Sequence, residues 1–368
     1  MHAFDIVILG AGAAGLMCAI EAGKRGRRVV VVERSERAGK KILISGGGRC
    51  NFTNLHCRPE HFLSSNPHFA KSALARYTPA DFIALVEKHR IPYHEKKLGQ
   101  LFCDRSAQDV VTLLEDECAQ AGVRIFTGTD VREVTRDTGF HIRTGELELS
   151  APALVVATGG LSIPKMGATS FGYDLARQFG HSIRACRPGL VPLTFDAKDR
   201  QGYCDLAGVS VEVEARCGTA SFRENMLITH RGLSGPAILQ ASSYWKEDAV
   251  VGAQPAALTG ARPRALTIDL APGREWTASL RDPHARRDSD AARAALRALL
   301  PQRLADRWLE LHPPEDWTNR SLNRLDEELH NWQVTPAGTE GYEKAEVTVG
   351  GVDTGELSGK TMESRIVP

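Results

Sequence analysis

The segment Gly10-Ala11-Gly12-Ala13-Ala14-Gly15 constrains this chain more than any other. It follows an apolar run at residues 4–9, which reads as a buried parallel strand. Leu16, Ala19, Ile20 and Gly23 then recur at helical spacing, and Gly26 supplies a helix stop. Val29, Val30, Val31 and Val32 read as a second buried strand. Strand, helix and strand fit within about 30 residues, the size of one βαβ unit. In such a unit the first glycine permits the tight turn. The second lets the backbone approach a pyrophosphate, and the third lets the helix pack closely on the strand. The helix N-terminus offers free N–H groups and a partial positive charge to phosphates. Glu33 ends the second strand, where a carboxylate accepts both ribose hydroxyls. Dinucleotide binding through Gly10, Gly12, Ala13, Ala14, Gly15 and Glu33 is therefore predicted. Glu33 suits NAD and FAD equally, and Arg34 reads as a nucleotide contact or as a plain surface arginine.

The pattern changes after residue 123. Val123 and Ile125, Val131 and Val134, Phe140 and Ile142, Leu147 and Leu149 alternate, with glycine-containing turns between them. This predicts an antiparallel meander. It leads into Leu154, Val155 and Val156 and the turn Ala157-Thr158-Gly159-Gly160. After Pro188 short strands are predicted at residues 190–195, 209–215, 226–229 and 266–270. Residues 289–312 read as helix, with Pro301 as a kink or break and the arginines and aspartates as a solvated face.

At 368 residues the chain exceeds one ordinary core, so two or three domains are expected. A formal net charge of +1 gives no global field to draw nucleic acid or an anionic membrane, and neither is expected as a partner. No apolar stretch approaches the ~18 residues of a membrane helix, and the first residues lack the parts of a signal peptide. Eight scattered cysteines without a CxxC pair read as reduced thiols in a cytoplasm. No HExxH or Cys/His cluster suggests a metal, and no GxSxG elbow suggests a nucleophilic serine.

A second constellation spans residues 39–54. Three consecutive glycines, Gly46, Gly47 and Gly48, make a permissive and entropically costly backbone. Lys40, Lys41 and Arg49 flank them with positive charge, and Ser45, Asn51 and Thr53 add hydrogen-bonding groups. The loop suits an extended anionic ligand, against the alternative of a flexible surface hairpin. Cys50 reads as a packed thiol rather than a reactive one, since reactivity requires a lowered thiol pKa. His230, before Gly232 and Gly235, reads as a turn residue, with a proton donor facing a flavin as the competing role.

Residues 10–15 together with Ser45-Gly46-Gly47-Gly48-Arg49-Cys50-Asn51-Phe52-Thr53-Asn54 closely resemble a family of bacterial NAD(P)/FAD-dependent oxidoreductases. The family is aminoacetone-oxidase-like and includes a flavoprotein linked to bile-acid dehydroxylation. Ala157-Thr158-Gly159-Gly160, residues 190–193, residues 229–236, residues 347–352 and Thr361-Met362-Glu363-Ser364 match it too. The resemblance implies an α/β, glutathione-reductase-like FAD-binding domain, a parallel sheet plus the antiparallel meander, over residues 1–188 and 345–368. It implies an inserted β-barrel and helical substrate domain over residues 189–344. Ala14, Glu33, Lys40, Gly47, Arg49 and Asn51 would contact FAD, with Lys41, Gly48 and Cys50 in the same loop. Val131 would meet the adenine through its backbone, and Thr158 and Gly159 would close over the cofactor.

The implied reaction is hydride transfer through the flavin to or from a small molecule. No second GxGxxG occurs, so NAD(P)H would dock only transiently as reductant. An NAD-dependent dehydrogenase is disfavoured by the glycine loop and meander, and a flavin-dependent RNA-modifying enzyme by the near-neutral charge. A non-catalytic flavoprotein shares the same motifs, and oligomeric state is left open. In the resembled family a further strand and glycine-rich helix start follow the Thr-Met-Glu-Ser element and hold the flavin. The sequence stops at Pro368, so a shortened chain that holds FAD poorly is expected.

Overall fold

In the computed structural model, residues 2–245 and 265–367 are described. The chain divides into two compact units, Met1–Cys186 with Gly350–Pro368, and Arg187–Val349.

The first unit is built on a four-stranded parallel sheet in the order Ala153–Val156, Ile6–Leu9, Val29–Val32, Arg124–Phe126. Four successive valines are possible because both faces of this sheet are covered. Ile8, Val29 and Val31 pack with Leu16, Ile20, Val110 and Leu114 of the helices Ala13–Lys24 and Gln108–Gln120. Val7, Leu9, Val30 and Val32 face the other way, onto Val134, Ile142 and Leu149. Side chains alternate across a strand, so one run of sequence supplies two cores.

The second layer is the meander, in the order His2–Ala3, Glu148–Ala151, Phe140–Thr144, Val131–Arg136. Its last three strands are antiparallel, while His2–Ala3 joins the edge in parallel. Val123 and Ile125 do not belong to it, contrary to expectation. Arg124–Phe126 follows the crossover helix Gln108–Gln120 and completes the parallel sheet, with Ile125 paired to Val31. Alternation alone does not tell the two sheets apart; the connection does, because parallel pairing requires a crossover.

A small antiparallel sheet, Asn51–Asn54, Gln100–Cys103 and Tyr93–Glu95, stands beside these layers. Behind it the buried carboxylate of Glu117 ties three helices together. It receives Lys24 Nζ at 2.7 Å, Lys88 Nζ at 2.5 Å and His89 Nε2 at 2.9 Å.

The second unit is a seven-stranded antiparallel sheet in the order Trp332–Val334, Leu266–Asp269, Ser210–Cys217, Ala220–Ile228, Gly232–Ser234, Leu193–Thr194, Gly338–Thr339. Helices Ser289–Arg297 and Gln302–Leu311 break at Pro301, and Trp308, Leu304, Leu325 and Leu329 join one large core with the sheet. The expected barrel is corrected to an open sheet: among the described residues its edges, Trp332–Val334 and Gly338–Thr339, do not pair. Only residues 335–337 lie between those opposite edges, so the sheet coils most of the way round. Pro336 sits in that gap and has no N–H to offer a closing ladder.

Candidate cofactor-binding site

The turn after Ile6–Leu9 is set by close backbone contacts. Gly10 has φ 104°, and its N–H donates to the Val32 carbonyl at 2.8 Å. A Cβ on Gly10 would lie 2.5 Å from the Ala157 carbonyl oxygen, and one on Gly15 would lie 1.9 Å from that of Gly10. Gly12 differs: its φ is −80°, and a Cβ there would meet nothing within 4 Å. Helix Ala13–Lys24 starts from Gly12 with no side-chain cap, and Ala13 and Ala14 are exposed. Its first N–H groups thus face open space carrying the positive end of the helix dipole.

Glu33 is held by the main chain beside this turn. Its Oε2 accepts from Ala11 N–H and its Oε1 from Ser35 N–H, each at 2.7 Å. Two of about four carboxylate lone-pair positions are used, and the others remain for ribose hydroxyls. Arg34 is exposed, with Nε 3.6 Å from Asp130 Oδ1. Gly39 N–H donates to the Ala11 carbonyl at 2.8 Å, fastening the helix Lys40–Ile44 to the turn. Gly39 has φ 66° as its N-cap; Lys40 is half-buried, and Lys41 Nζ donates to the buried Ser162 Oγ at 2.6 Å.

The glycine loop follows directly. Gly46, Gly47, Gly48 and Cys50 have φ of 56°, 67°, 86° and 53°, a run that L-residues other than glycine adopt at a cost. Its inner side is pinned: Cys50 N–H donates to the Ser45 carbonyl at 3.0 Å, Ala107 N–H to that of Gly48 at 2.7 Å, and Cys103 N–H to that of Arg49 at 3.0 Å. Its outer side is open, since a Cβ on Gly47 would meet nothing within 4 Å, and Arg49 and Asn51 are exposed. The expectation of a packed Cys50 agrees with the geometry. Its thiol is buried, and burial pushes its pKa up, outweighing a hydrogen bond with Ser45. Burial likewise pushes Cys103, across the strand pair, up to about 12.

The third wall is the turn after Ala153–Val156. Ala157 N–H donates to the Leu9 carbonyl at 2.8 Å, and Gly159, φ 76°, is exposed with nothing within 4 Å of a Cβ. Thr158 turns inward: a Cβ on Gly172 would lie 2.3 Å from its Oγ1. Two apolar side chains, Ile44 and Val156, are 42% and 45% exposed. Val131 is half-buried at the start of Val131–Arg136. Open space over Gly12, Gly47 and Gly159, free helix N–H groups, an oriented carboxylate and exposed cations fit FAD. Ala11, Ser35 and Ser162 are the contributors missed from sequence. Ala11 and Ser35 act through main-chain N–H groups, which leave no residue signature.

His230 is exposed in a turn of the second unit. Thr229 N–H donates to the Gly232 carbonyl at 2.8 Å, and Thr229 Oγ1 accepts from the N–H groups of Arg231 and Gly232 at 3.2 and 3.1 Å. A Cβ on Gly232 would lie 2.2 Å from the Leu193 carbonyl oxygen, so turn packing accounts for this motif. Among the described residues no group of His, Cys, Asp and Glu could hold a metal ion, and no helix is long and apolar enough to cross a membrane.

Comparison with known proteins agrees with this geometry. The family model "HI0933-like protein Rossmann domain" matches residues 4–368. The ribosomal RNA dihydrouridine synthase of Escherichia coli K12 is 46% identical over 376 residues, covering 100% of this chain and 90% of that protein. A protein of the same name from Haemophilus influenzae is 43% identical over 373 residues, covering 98% and 89%. The 3-dehydro-bile acid delta(4,6)-reductase of Clostridium scindens is 28% identical over 379 residues, again covering 98% and 89%. The chain belongs to the HI0933-like Rossmann family and is an FAD-binding oxidoreductase.

Proposed function

We propose that this enzyme saturates a carbon–carbon double bond conjugated to a carbonyl, and that its substrate is a uridine of ribosomal RNA. The observation that carries the reading is the 46% identity, over the whole chain, to a ribosomal RNA dihydrouridine synthase. The name of the more distant relative describes the same chemistry on another skeleton, a delta(4,6) unsaturation conjugated to a 3-keto group. In uridine the C5–C6 double bond is conjugated to the C4 carbonyl. Hydride adds to C6, the position β to that carbonyl, and a proton adds to C5.

FAD, when bound, supplies the hydride. The helix N-terminus beyond Gly12 binds the pyrophosphate, and Glu33 accepts from the ribose. Lys40 and Arg49 offset the phosphate charge, while Gly47 and Gly159 let the main chain approach the cofactor. NAD(P)H is the reductant in this reading, docking transiently, and the cytoplasm is the compartment. The net charge of +1 does not oppose an RNA substrate, because phosphate contacts need only a local patch.

The test is complementation. An Escherichia coli strain lacking the related synthase is given this chain, and dihydrouridine in its ribosomal RNA is measured by mass spectrometry. Restored dihydrouridine is expected. A protein that holds FAD and oxidises NADPH with a small cyclic enone, yet leaves the RNA unmodified, would overturn the RNA substrate in favour of a small molecule.

A further inference from the structure

More than half of the exposed large apolar side chains among the described residues fall between residues 44 and 98. Two of them meet at one end of the small antiparallel sheet. Leu55 N–H donates to the Gly99 carbonyl at 2.9 Å, and Asn54 Nδ2 donates to the Leu98 carbonyl at 3.0 Å. The His56 ring lies against Gly99, 2.7 Å from where a Cβ would stand. Leu55 and Leu98 are 46% and 58% exposed at this tip. Leu98 also has φ 52°, a conformation that glycine or asparagine would adopt more cheaply. A leucine kept there, in water, is a side chain on display.

Two fixed cations, Arg58 and Lys96, belong to the segments that form the tip. His56, Arg58 and Lys96 are exposed, and the Lys96 ammonium lies 5.1 Å over the Phe102 ring. The other edge of that ring reaches the glycine loop, 2.7 Å from a Cβ built on Gly46. Phe102, only 8% exposed, thus joins the leucine-tip face to the FAD loop, where Arg49 is exposed. Carboxylates accompany the cations: Glu60 and Glu95 are exposed in the same segments, Glu95 Oε1 accepting from Gly99 N–H at 2.9 Å, and Asp104 Oδ1 meets His94 Nδ1 at 2.6 Å.

We infer that this face seats the RNA substrate, with Arg58 and Lys96 on phosphates and Leu98 as a wedge that unstacks the base to be reduced. The inference rests on the RNA reading above and assigns its binding surface. Cations alternating with apolar groups suit a polyanion whose bases present apolar faces. Apolar wedges open base steps in other nucleic-acid complexes. Chemistry on a base ring also requires the base to leave its stack.

The test uses the full chain in two assays, dihydrouridine formation in ribosomal RNA and binding of a fluorescein-labelled oligouridylate of about 12 nucleotides. R58E/K96E should weaken oligouridylate binding more than tenfold and flatten its salt dependence. L98N relaxes the backbone while removing the wedge. It should bind the flexible oligouridylate as wild type does, yet form dihydrouridine in structured RNA about tenfold more slowly. R25E/R27E, the same charge change beyond the far end of helix Ala13–Lys24, should alter neither. FAD uptake and melting temperature report folding for each variant, and R58Q/K96Q replaces any charge reversal that fails to fold. If wild type forms dihydrouridine and both tip variants match it in both assays, the surface is wrong and the RNA substrate stands. If wild type forms none, both fall.

Discussion

A methyl group on Gly15 would stand 1.9 Å from a carbonyl oxygen of its own chain, whereas one on Gly47 would meet nothing within 4 Å. The phosphate turn and the glycine loop therefore use the same residue differently. In the turn, Gly10 and Gly15 are demanded by main chain that cannot give way. In the loop, Gly47 and Gly48 are demanded by their own positive φ, with open space beyond. Gly12 fits neither class, having ordinary φ and no neighbour. Beside the helix N-terminus, Gly12 is the position where a ligand can come close without displacing protein atoms.

The comparison breaks first at Gly15. Gly15→Ala should cost more than about 4 kcal/mol, because the added methyl meets a main-chain carbonyl that cannot swing aside. Soluble yield and thermal melting check this, and a variant melting like wild type would end the steric account. The frame behind the turn is next. Glu117→Gln should cost about 3 kcal/mol, since it leaves Lys24, Lys88 and His89 without their buried carboxylate. Burial alone would raise the Glu117 pKa, but the donors Lys24, Lys88 and His89 outweigh it and bring it from 4.5 to about 2. A carboxyl depressed on folding stabilises fully above its unfolded pKa and loses that contribution as pH falls through the folded one. Urea midpoints followed from pH 7 to pH 3 should therefore fall more steeply for wild type than for Glu117→Gln, chiefly below about pH 4.5.

Gly12→Ala sharpens the comparison from the other side. It should leave the melting temperature of the cofactor-free protein unchanged and weaken FAD binding roughly 30-fold, about 2 kcal/mol. Titration followed by flavin fluorescence reads the second effect, and equal affinity would mean that the pyrophosphate does not pass over this residue. Gly47→Ala is the smallest. It should cost about 1 kcal/mol of stability for its left-handed backbone. A loss well beyond that would mean that the loop is more crowded than its open side suggests.

What the sequence made legible was local. Val29, Val30, Val31 and Val32 form the strand expected of them, helix Ala13–Lys24 starts at its glycine motif, and Pro301 divides two helices. What it hid depends on partners far along the chain. Ile125 alternates like a meander residue and joins the parallel sheet only because Val31 is there to pair with it. Asn51-Phe52-Thr53-Asn54 reads as loop, yet it becomes a strand against Gln100–Cys103. Lys41 meets Ser162 across 121 residues, and nothing around Ser162 announces it. The near-closure of the second unit's sheet depends likewise on two edges, Trp332–Val334 and Gly338–Thr339, whose neighbours lie far along the chain.

The strands Ile183–Gly189 and Val347–Val352, which pair with each other, carry the chain out of the first unit and back. During synthesis that pairing imposes a timetable. Ala185 leaves the ribosome long before Gly350, whose main chain packs so tightly on Ala185 that a Cβ would lie 2.3 Å from its carbonyl oxygen. Between them come residues 187–349, the whole of the second unit. At the usual pace of translation this takes on the order of ten to thirty seconds, ample for a single domain to fold. The nested unit is thus ready before the host that encloses it in sequence can be finished. A slow codon run inside the insert would hold back completion of the cofactor domain, although it changes no residue there.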